Sequence, residues 1–171
     1  MTEAEKLYYS GVLTEDHMGQ KGAVLPPQDL WDGKKNGLVI VECPERIPCN
    51  PCNTSCPVGA ILPFKDINDV PEVDFSKCTG CAMCVAVCPG LACFVIDMTF
   101  GAEEALYKLP YEMLPVPQKG DKVVCLDRLG KEVAEGTVKN VTEPRKDKAY
   151  VVHVSAPKNL FKEIRAVRVV K

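Results

Sequence analysis

Short apolar runs broken by Gly, Pro and Asn dominate the hydrophobic pattern of this chain from residue 38 onward. Runs of this length between turn residues are typical of strands. They predict strands at Leu38–Glu42, Phe94–Asp97, Gly120–Leu126, Glu132–Val141, Ala149–Ser155 and Ile164–Val170. The stretch Val58–Leu62 predicts a short helical turn. The four strands after residue 119 indicate a small β-barrel or sandwich.

The same pattern divides the 171 residues into four parts. Residues 1–37 form an extension broken by Gly and Pro, which we expect to dock on a partner. Residues 38–100 form a cysteine-rich domain, and residues 119–171 form the all-β domain. Residues 101–118 between them are proline-rich and predict a linker, with a possible strand at Leu106–Leu109.

Eight of the ten cysteines fall in two runs that each end in Cys-Pro. The second run, a C-x2-C-x2-C-x3-C-P sequence, consists of Cys78, Cys81, Cys84, Cys88 and Pro89. This is the bacterial-type spacing of iron–sulfur ligands, because three closely spaced thiolates can wrap one cube. The first run has the same pattern with one stretched interval and consists of Cys43, Cys49, Cys52, Cys56 and Pro57.

The two runs are an internal repeat with a period of 32 residues, since that shift places Cys49, Cys52 and Cys56 on cysteines of the second run. The repeat fails at Cys78, which lands on Arg46, while Cys43 lies three residues earlier. Two interpretations remain open. Either the inserted loop at residues 44–48 bulges and Cys43 still reaches the cluster, or Cys43 is structural and the first cluster has three irons or a labile iron. The two prolines of the insertion favour the first.

The duplicated pattern predicts two [4Fe–4S] clusters with crossed ligands, because in two-cluster proteins the fourth cysteine of each run binds the other cluster. The predicted ligands of cluster 1 are Cys43, Cys49, Cys52 and Cys88. The predicted ligands of cluster 2 are Cys78, Cys81, Cys84 and Cys56. The two remaining cysteines, Cys93 and Cys125, lie in apolar runs and are expected to be buried core residues.

Other uses of cysteine fit this pattern less well. A structural zinc site pairs two cysteines with two more after a longer gap, whereas residues 78–88 hold four. The first residues contain no basic and apolar signal segment, which argues against a secreted disulfide scaffold and for a reducing cytoplasm. No apolar run approaches the roughly 18 residues that would indicate a transmembrane segment.

The charge is distributed unevenly along the chain. Residues 1–118 hold 8 basic and 16 acidic residues, whereas residues 119–171 hold 13 and 7. The basic part raises the possibility of nucleic-acid binding, but its basic residues alternate with acidic and apolar ones and its aromatic residues are only Tyr150 and Phe161. Because base-stacking platforms need aromatic side chains, we expect no nucleic acid among the partners.

The runs CNPCNTSCPVGAI and VDFSKCTGCAMCVAVCPG resemble bacterial dicluster ferredoxin domains over about residues 38–100. The resemblance implies an α+β fold, with a ferredoxin-like dicluster core between the N-terminal extension and the small barrel-like C-terminal domain. More loosely, VECPERIPCNPC resembles the small ferredoxin-type subunits of flavin-dependent amino-acid and opine dehydrogenases of the proline dehydrogenase type. This second resemblance implies FAD- or FMN-containing dehydrogenase subunits as partners in a hetero-oligomer.

No Gly-rich nucleotide-binding motif is present in the sequence. A cluster held entirely by cysteine offers a substrate no coordination position, so we expect no catalytic residue in this chain. The expected role is an electron-transfer subunit that relays single electrons from a flavoprotein dehydrogenase to another carrier. The alternatives are a free-standing soluble ferredoxin and, less favoured, an iron–sulfur redox sensor.

Overall fold

One continuous antiparallel sheet organises the chain in the computed structural model, which describes residues 10, 12–14, 17–19 and 21–170. Its eight strands are β1 (Ala23–Val24), β2 (Leu38–Glu42), β3 (Cys93–Asp97), β4 (Glu104–Tyr111), β5 (Lys122–Leu126), β6 (Glu132–Thr142), β7 (Tyr150–Pro157) and β8 (Ala166–Val169). Their order across the sheet is β1-β2-β3-β4-β7-β6-β5-β8. Residues 1–9 of the predicted extension lie outside this description.

The helices with described bounds are short. They are α1 (Gln28–Gly33), α2 (Pro51–Thr54), α3 (Met83–Val87) and a 3₁₀ turn at Lys158–Leu160. Within the residues given above, no helix has both the length and the apolar character needed to cross a bilayer. Helices α2 and α3 lie inside the two cysteine runs, so the sheet supplies the framework and the helices shape the cysteine loops.

The predicted α+β fold, with a ferredoxin-like core and a small barrel-like C-terminal part, is wrong. Strand β4 pairs with β3 on one side and with β7 on the other, so the C-terminal strands extend the same sheet that begins beside the cysteine runs. The physical reason is burial, because Ala105, Tyr107 and Leu109 of β4 are fully buried. The predicted linker therefore contains a central strand, β4, whose range includes the possible strand predicted at Leu106–Leu109.

Individual strands agree well with the sequence-based predictions. Strand β2 is confirmed residue for residue, and strands β3, β5, β6, β7 and β8 differ from the predictions only at their ends. The helical turn predicted at Val58–Leu62 is wrong, because Ile61 makes an isolated bridge to Val73 there instead. Gly59, with φ of +62°, takes a backbone conformation that a helix cannot continue.

The described part of the extension packs against this chain's own sheet. Trp31 of α1 is 1% exposed, and its indole Nε1 donates a hydrogen bond to the carbonyl of Ile96 at 2.7 Å. Its ring meets that of Phe161 edge-on, with centroids 5.2 Å apart. Trp31 therefore contacts both β3, through Ile96, and the C-terminal part of the chain, through Phe161. The division into extension, cysteine-rich domain, linker and C-terminal domain stays a prediction.

Candidate iron–sulfur site

Two small cavities beside the sheet gather nine of the cysteines. Cavity A is lined by Cys43, Cys49, Cys52 and Cys88, together with Cys93. Cavity B is lined by Cys56, Cys78, Cys81 and Cys84. Each cavity thus gathers three cysteines of one run and the last cysteine of the other. These groupings match the two predicted ligand sets, and the role of the cysteines as ligands stays a prediction.

The local backbone positions Cys43 at the edge of cavity A, although the repeat is broken there. Cys43 follows β2 directly, and its N–H donates to the carbonyl of Gly22 at 2.6 Å. Gly22 has φ of +78°, and a Cβ atom added to it would lie 2.1 Å from the carbonyl oxygen of Cys43. Only glycine fits at such an approach. The segment around β1 therefore holds Cys43 by close backbone contact.

The two crossing cysteines receive equivalent backbone hydrogen bonds. The N–H of Ala60 donates to the Sγ of Cys56 at 3.2 Å, and the N–H of Ala92 donates to the Sγ of Cys88 at 3.3 Å. These pairs are related by the 32-residue repeat. A hydrogen bond from a backbone N–H stabilises a thiolate, and such bonds to sulfur also raise the reduction potential of a cluster.

Several of the cysteines have shifted pKa values with identifiable causes. Burial and neighbouring thiolates raise the pKa of Cys43 to about 11 and that of Cys52 to about 12. A hydrogen bond with Cys93, followed by backbone N–H groups, lowers the pKa of Cys88 to about 6. Four thiolates crowded into one cavity repel one another, so a bound cation is needed to keep all of them deprotonated. The chemistry of this donor set therefore fits a metal centre.

The donor set fits a multi-iron cluster better than a single ion. Among the residues that the structure describes, no group of three or more His, Cys, Asp or Glu side chains is arranged to hold one metal ion. Thiolates on a cube bind different irons, so they stand further apart than ligands that share one ion. Soft sulfur ligands also favour iron–sulfur centres over hard cations. All ten cysteines lie in the described part of the chain, and all are free.

The two cysteines outside the predicted ligand sets are both buried, as their apolar flanks predict. Cys125 is fully buried in β5, and Cys93 is 1% exposed at the start of β3. Cys93 nevertheless also lines cavity A, and its thiol hydrogen-bonds with Cys84 of cavity B and with Cys88 of cavity A. It lies between the two cysteine groups. Sequence reasoning placed it in the core but missed this position, because apolar flanks predict burial and do not indicate which side chains lie alongside.

Sequence reasoning also missed Lys108 of β4. Its side chain is 8% exposed, and its Nζ donates to the carbonyls of Gly80 at 2.7 Å and Asn36 at 2.9 Å. Gly80 lies in the cavity B loop with φ of +66°, and a Cβ there would lie 2.2 Å from the Asn36 oxygen. The available signal was a lysine inside the otherwise apolar run Leu106–Leu109.

Comparison with known proteins identifies the cysteine-rich segment. Residues 45–92 match the family described as a 4Fe-4S dicluster domain. The match confirms the resemblance of this segment to dicluster ferredoxin domains. No solved structure matches the chain. The looser resemblance to subunits of flavin-dependent dehydrogenases stays a prediction.

Curated relatives match parts of this chain. The thiosulfate reductase electron transfer subunit PhsB of Salmonella typhi is 49% identical over 49 residues, which cover 26% of this chain and 24% of that protein. A subunit of the ion-translocating oxidoreductase complex of Methanosarcina acetivorans is 44% identical over 43 residues, or 25% of this chain and 15% of that protein. The ferredoxin-type protein NapF of Haemophilus influenzae is 33% identical over 82 residues, or 46% and 47%. The chain spans less than half the length of each.

Proposed function

We propose that this chain is a non-catalytic electron-transfer subunit that holds two [4Fe–4S] clusters and relays single electrons from the reduced flavin of a partner dehydrogenase to another carrier. The observation that carries the proposal is the gathering of the eight predicted ligand cysteines into two cavities, four in each. Two clusters of this kind supply reversible one-electron storage when bound. Relatives whose names describe electron-transfer or oxidoreductase-complex subunits support the same role.

The cysteines themselves explain why the chain would carry electrons without transforming a substrate. Four thiolates in each cavity satisfy all four irons of a cube, so no iron is left for a substrate. Cys84 of cavity B and Cys88 of cavity A are joined through one helical turn, because the Cys88 N–H donates to the Cys84 carbonyl at 3.2 Å. One such turn advances about 6 Å along the helix axis. The two cavities are therefore close neighbours.

Buried apolar side chains would keep water from the sheet side of the centre in cavity B. Val39, Ala60 and Val95 line cavity B, and each is at most 2% exposed. Low solvent exposure around sulfur is one of the factors that set the reduction potential. Cluster chemistry of this kind is favoured by a reducing compartment, so we propose a cytoplasmic location.

Anaerobic reconstitution of the full chain tests the proposal. We expect about eight irons and eight inorganic sulfides per chain, since each predicted cluster contains four. We also expect rapid reduction of the reconstituted chain by a reduced flavoprotein dehydrogenase and no substrate oxidation by the chain alone. A colourless, zinc-bound protein, or substrate turnover by the isolated chain, would contradict the proposal.

Stable association tests the subunit role against a free-standing ferredoxin. A permanent complex buries a large interface, whereas transient redox encounters bury less than about 1,200 Å². We therefore expect this chain to co-purify with a flavin-containing partner at a fixed ratio through size-exclusion chromatography. Purification as a lone chain that reduces several unrelated enzymes equally well would favour the free ferredoxin instead.

A further inference from the structure

The two cysteine cavities come from a duplicated sequence, but their charged surroundings differ. Cavity A is lined by two carboxylates, Glu45 and Asp69, in addition to its cysteines. Among the described residues that line cavity B, none has a charged side chain. Charge near an iron–sulfur centre shifts its reduction potential, because reduction adds an electron that a nearby carboxylate opposes. The residues that line the two cavities therefore already favour different reduction potentials at the two sites.

Lys108 increases this difference because it lies behind the loop of cavity B. Its Nζ donates to the carbonyl of Gly80 at 2.7 Å, and Gly80 lies between Cys78 and Cys81. The ammonium is buried, so solvent screens it weakly, and it interacts electrostatically with both of those cysteines. Asp97 is the strongest electrostatic partner of the ammonium and offsets part of its charge, but it lines neither cavity and accepts hydrogen bonds from Thr99.

The cation closest in sequence to cavity A is placed differently. The repeat aligns Arg46 with Cys78, and the Arg46 side chain is 67% exposed. Its guanidinium lies 3.4 Å from the carboxylate of Asp69, which offsets its charge. Glu45 acts directly on this site, since it lines cavity A two residues after Cys43. Cavity A thus faces a net negative environment and cavity B a buried positive charge.

We infer that Lys108 and Glu45 give the pair of sites a direction, with the higher reduction potential at cavity B and the lower at cavity A. This inference rests on the proposed function, since it requires both cavities to hold clusters. The step that the difference drives is a single-electron transfer, in which the centre in cavity A is oxidised by one electron and that in cavity B is reduced by one. No bond forms or breaks and no proton moves. An electron from a reduced flavin would then enter at cavity A and collect at cavity B.

Redox titration of the reconstituted full chain, followed by electron paramagnetic resonance, tests the inference. We expect two separate one-electron steps in the unmodified protein. Cys81→Ser should alter the spectrum of the centre that is reduced at the higher potential, and so assign that step to cavity B. Lys108→Met should decrease the equilibrium constant for reduction in that step at least tenfold, which corresponds to 59 mV for one electron. Lys108→Arg should restore most of the shift because it keeps the charge.

Two further variants separate charge from structural effects. Lys158→Met is the matched control, since Lys158 also donates from Nζ to a backbone carbonyl, that of Gly101, but it lines neither cysteine cavity. We expect it to leave both steps unchanged. Glu45→Gln should raise the reduction potential of the lower-potential step and leave that of the higher-potential step unchanged. Because Glu45 is exposed, this variant tests the inference even where Lys108→Met does not fold.

The possible failures are distinguishable from one another. An iron content well below eight per chain, or one spin system in place of two, contradicts the proposed function. Full iron content with two coincident steps overturns only the inference. The inference is also overturned if Lys108→Met shifts both steps equally, if Lys158→Met has the same effect, or if Glu45→Gln leaves the lower step unmoved.

Discussion

Arg165 and Glu42 form a buried ion pair, in which the guanidinium Nε donates to the carboxylate at 2.8 Å and the two side chains are only 4% and 5% exposed. Arg128 donates to the same carboxylate from its own Nε at 2.9 Å. Glu42 is the last residue of β2 and directly precedes Cys43, whereas both arginines lie near the C-terminal strands. The ion pair therefore links cavity A to the far end of the chain.

Glu42→Gln should destabilise the protein strongly. Removing the carboxylate leaves Arg165 buried without a counter-charge, and breaking a buried pair in this way costs about 3–5 kcal/mol. Anaerobic denaturant unfolding of the reconstituted chain measures the change. The control is Glu132→Gln, whose partner Arg168 forms an ion pair that is about 60% exposed, so its loss should cost less than about 1 kcal/mol. Equal effects of the two substitutions would contradict the structural role of Glu42.

Cys43→Ala should change the iron content and the spectrum of the cavity A centre. Losing one of four thiolates leaves one iron without a protein ligand, so we expect about seven irons per chain or complete loss of that centre. The measurement is iron analysis together with electron paramagnetic resonance. Cys125→Ala is the control, because Cys125 is equally unpaired but lines neither cavity. If Cys43→Ala retains eight irons and an unchanged spectrum, Cys43 is a structural residue.

Gly22→Ala should displace Cys43 and weaken iron binding at cavity A. The added methyl group would lie 2.1 Å from the Cys43 carbonyl oxygen, so the backbone there must move. Gly130→Ala provides a close control, because Gly130 has φ of +77°, against +78° for Gly22, but its Cβ would meet nothing within 4 Å. The control substitution should lower the free energy of unfolding by only about 1 kcal/mol, through backbone strain. The rate of iron release to a chelator compares the two, and identical rates would count against the clash.

Stability should fall as the pH decreases from 6.5 towards 4, in part because of His153. Burial, followed by the charge of Lys108, lowers the folded-state pKa of His153 to about 4 from 6.5. Between these values the unfolded chain binds the proton and the folded chain does not, so protonation favours unfolding. Allowing for solvent screening of this half-buried ring, the loss by pH 5 is on the order of 1 kcal/mol.

His153→Gln isolates the contribution of His153 protonation to the pH dependence of stability. Glutamine cannot take up the proton, but it can still hydrogen-bond to Thr142, which lies 3.3 Å from the His153 Nε2. Denaturant unfolding at pH 7 and pH 5 should show a smaller loss of stability for the variant than for the unmodified protein. An equal loss in both would assign the pH dependence to other groups.

The sequence by itself determined the local features of this protein. Cysteine spacing grouped eight thiols into two predicted sets of four, and each set lines one cavity, because closely spaced thiolates have few ways to fold around one centre. Cys93, which also lines cavity A, was not among them. A short apolar run predicted β2 and a nearly alternating pattern predicted β6, since a strand's pattern depends on its immediate neighbours. The family match at residues 45–92 follows from the same local signature.

Tertiary structure alone decided which distant parts meet. The sheet runs continuously from β1 to β8 because β4 is buried between β3 and β7, and no local pattern distinguishes that strand from part of a linker. Lys108 reaches Gly80, 28 positions away, and Arg165 reaches Glu42, 123 positions away. Such partners are selected by the free energy of burying charge and backbone together, which depends on the whole packed chain. For this reason the cysteine groups were predictable, while the charges that distinguish the two cavities were not.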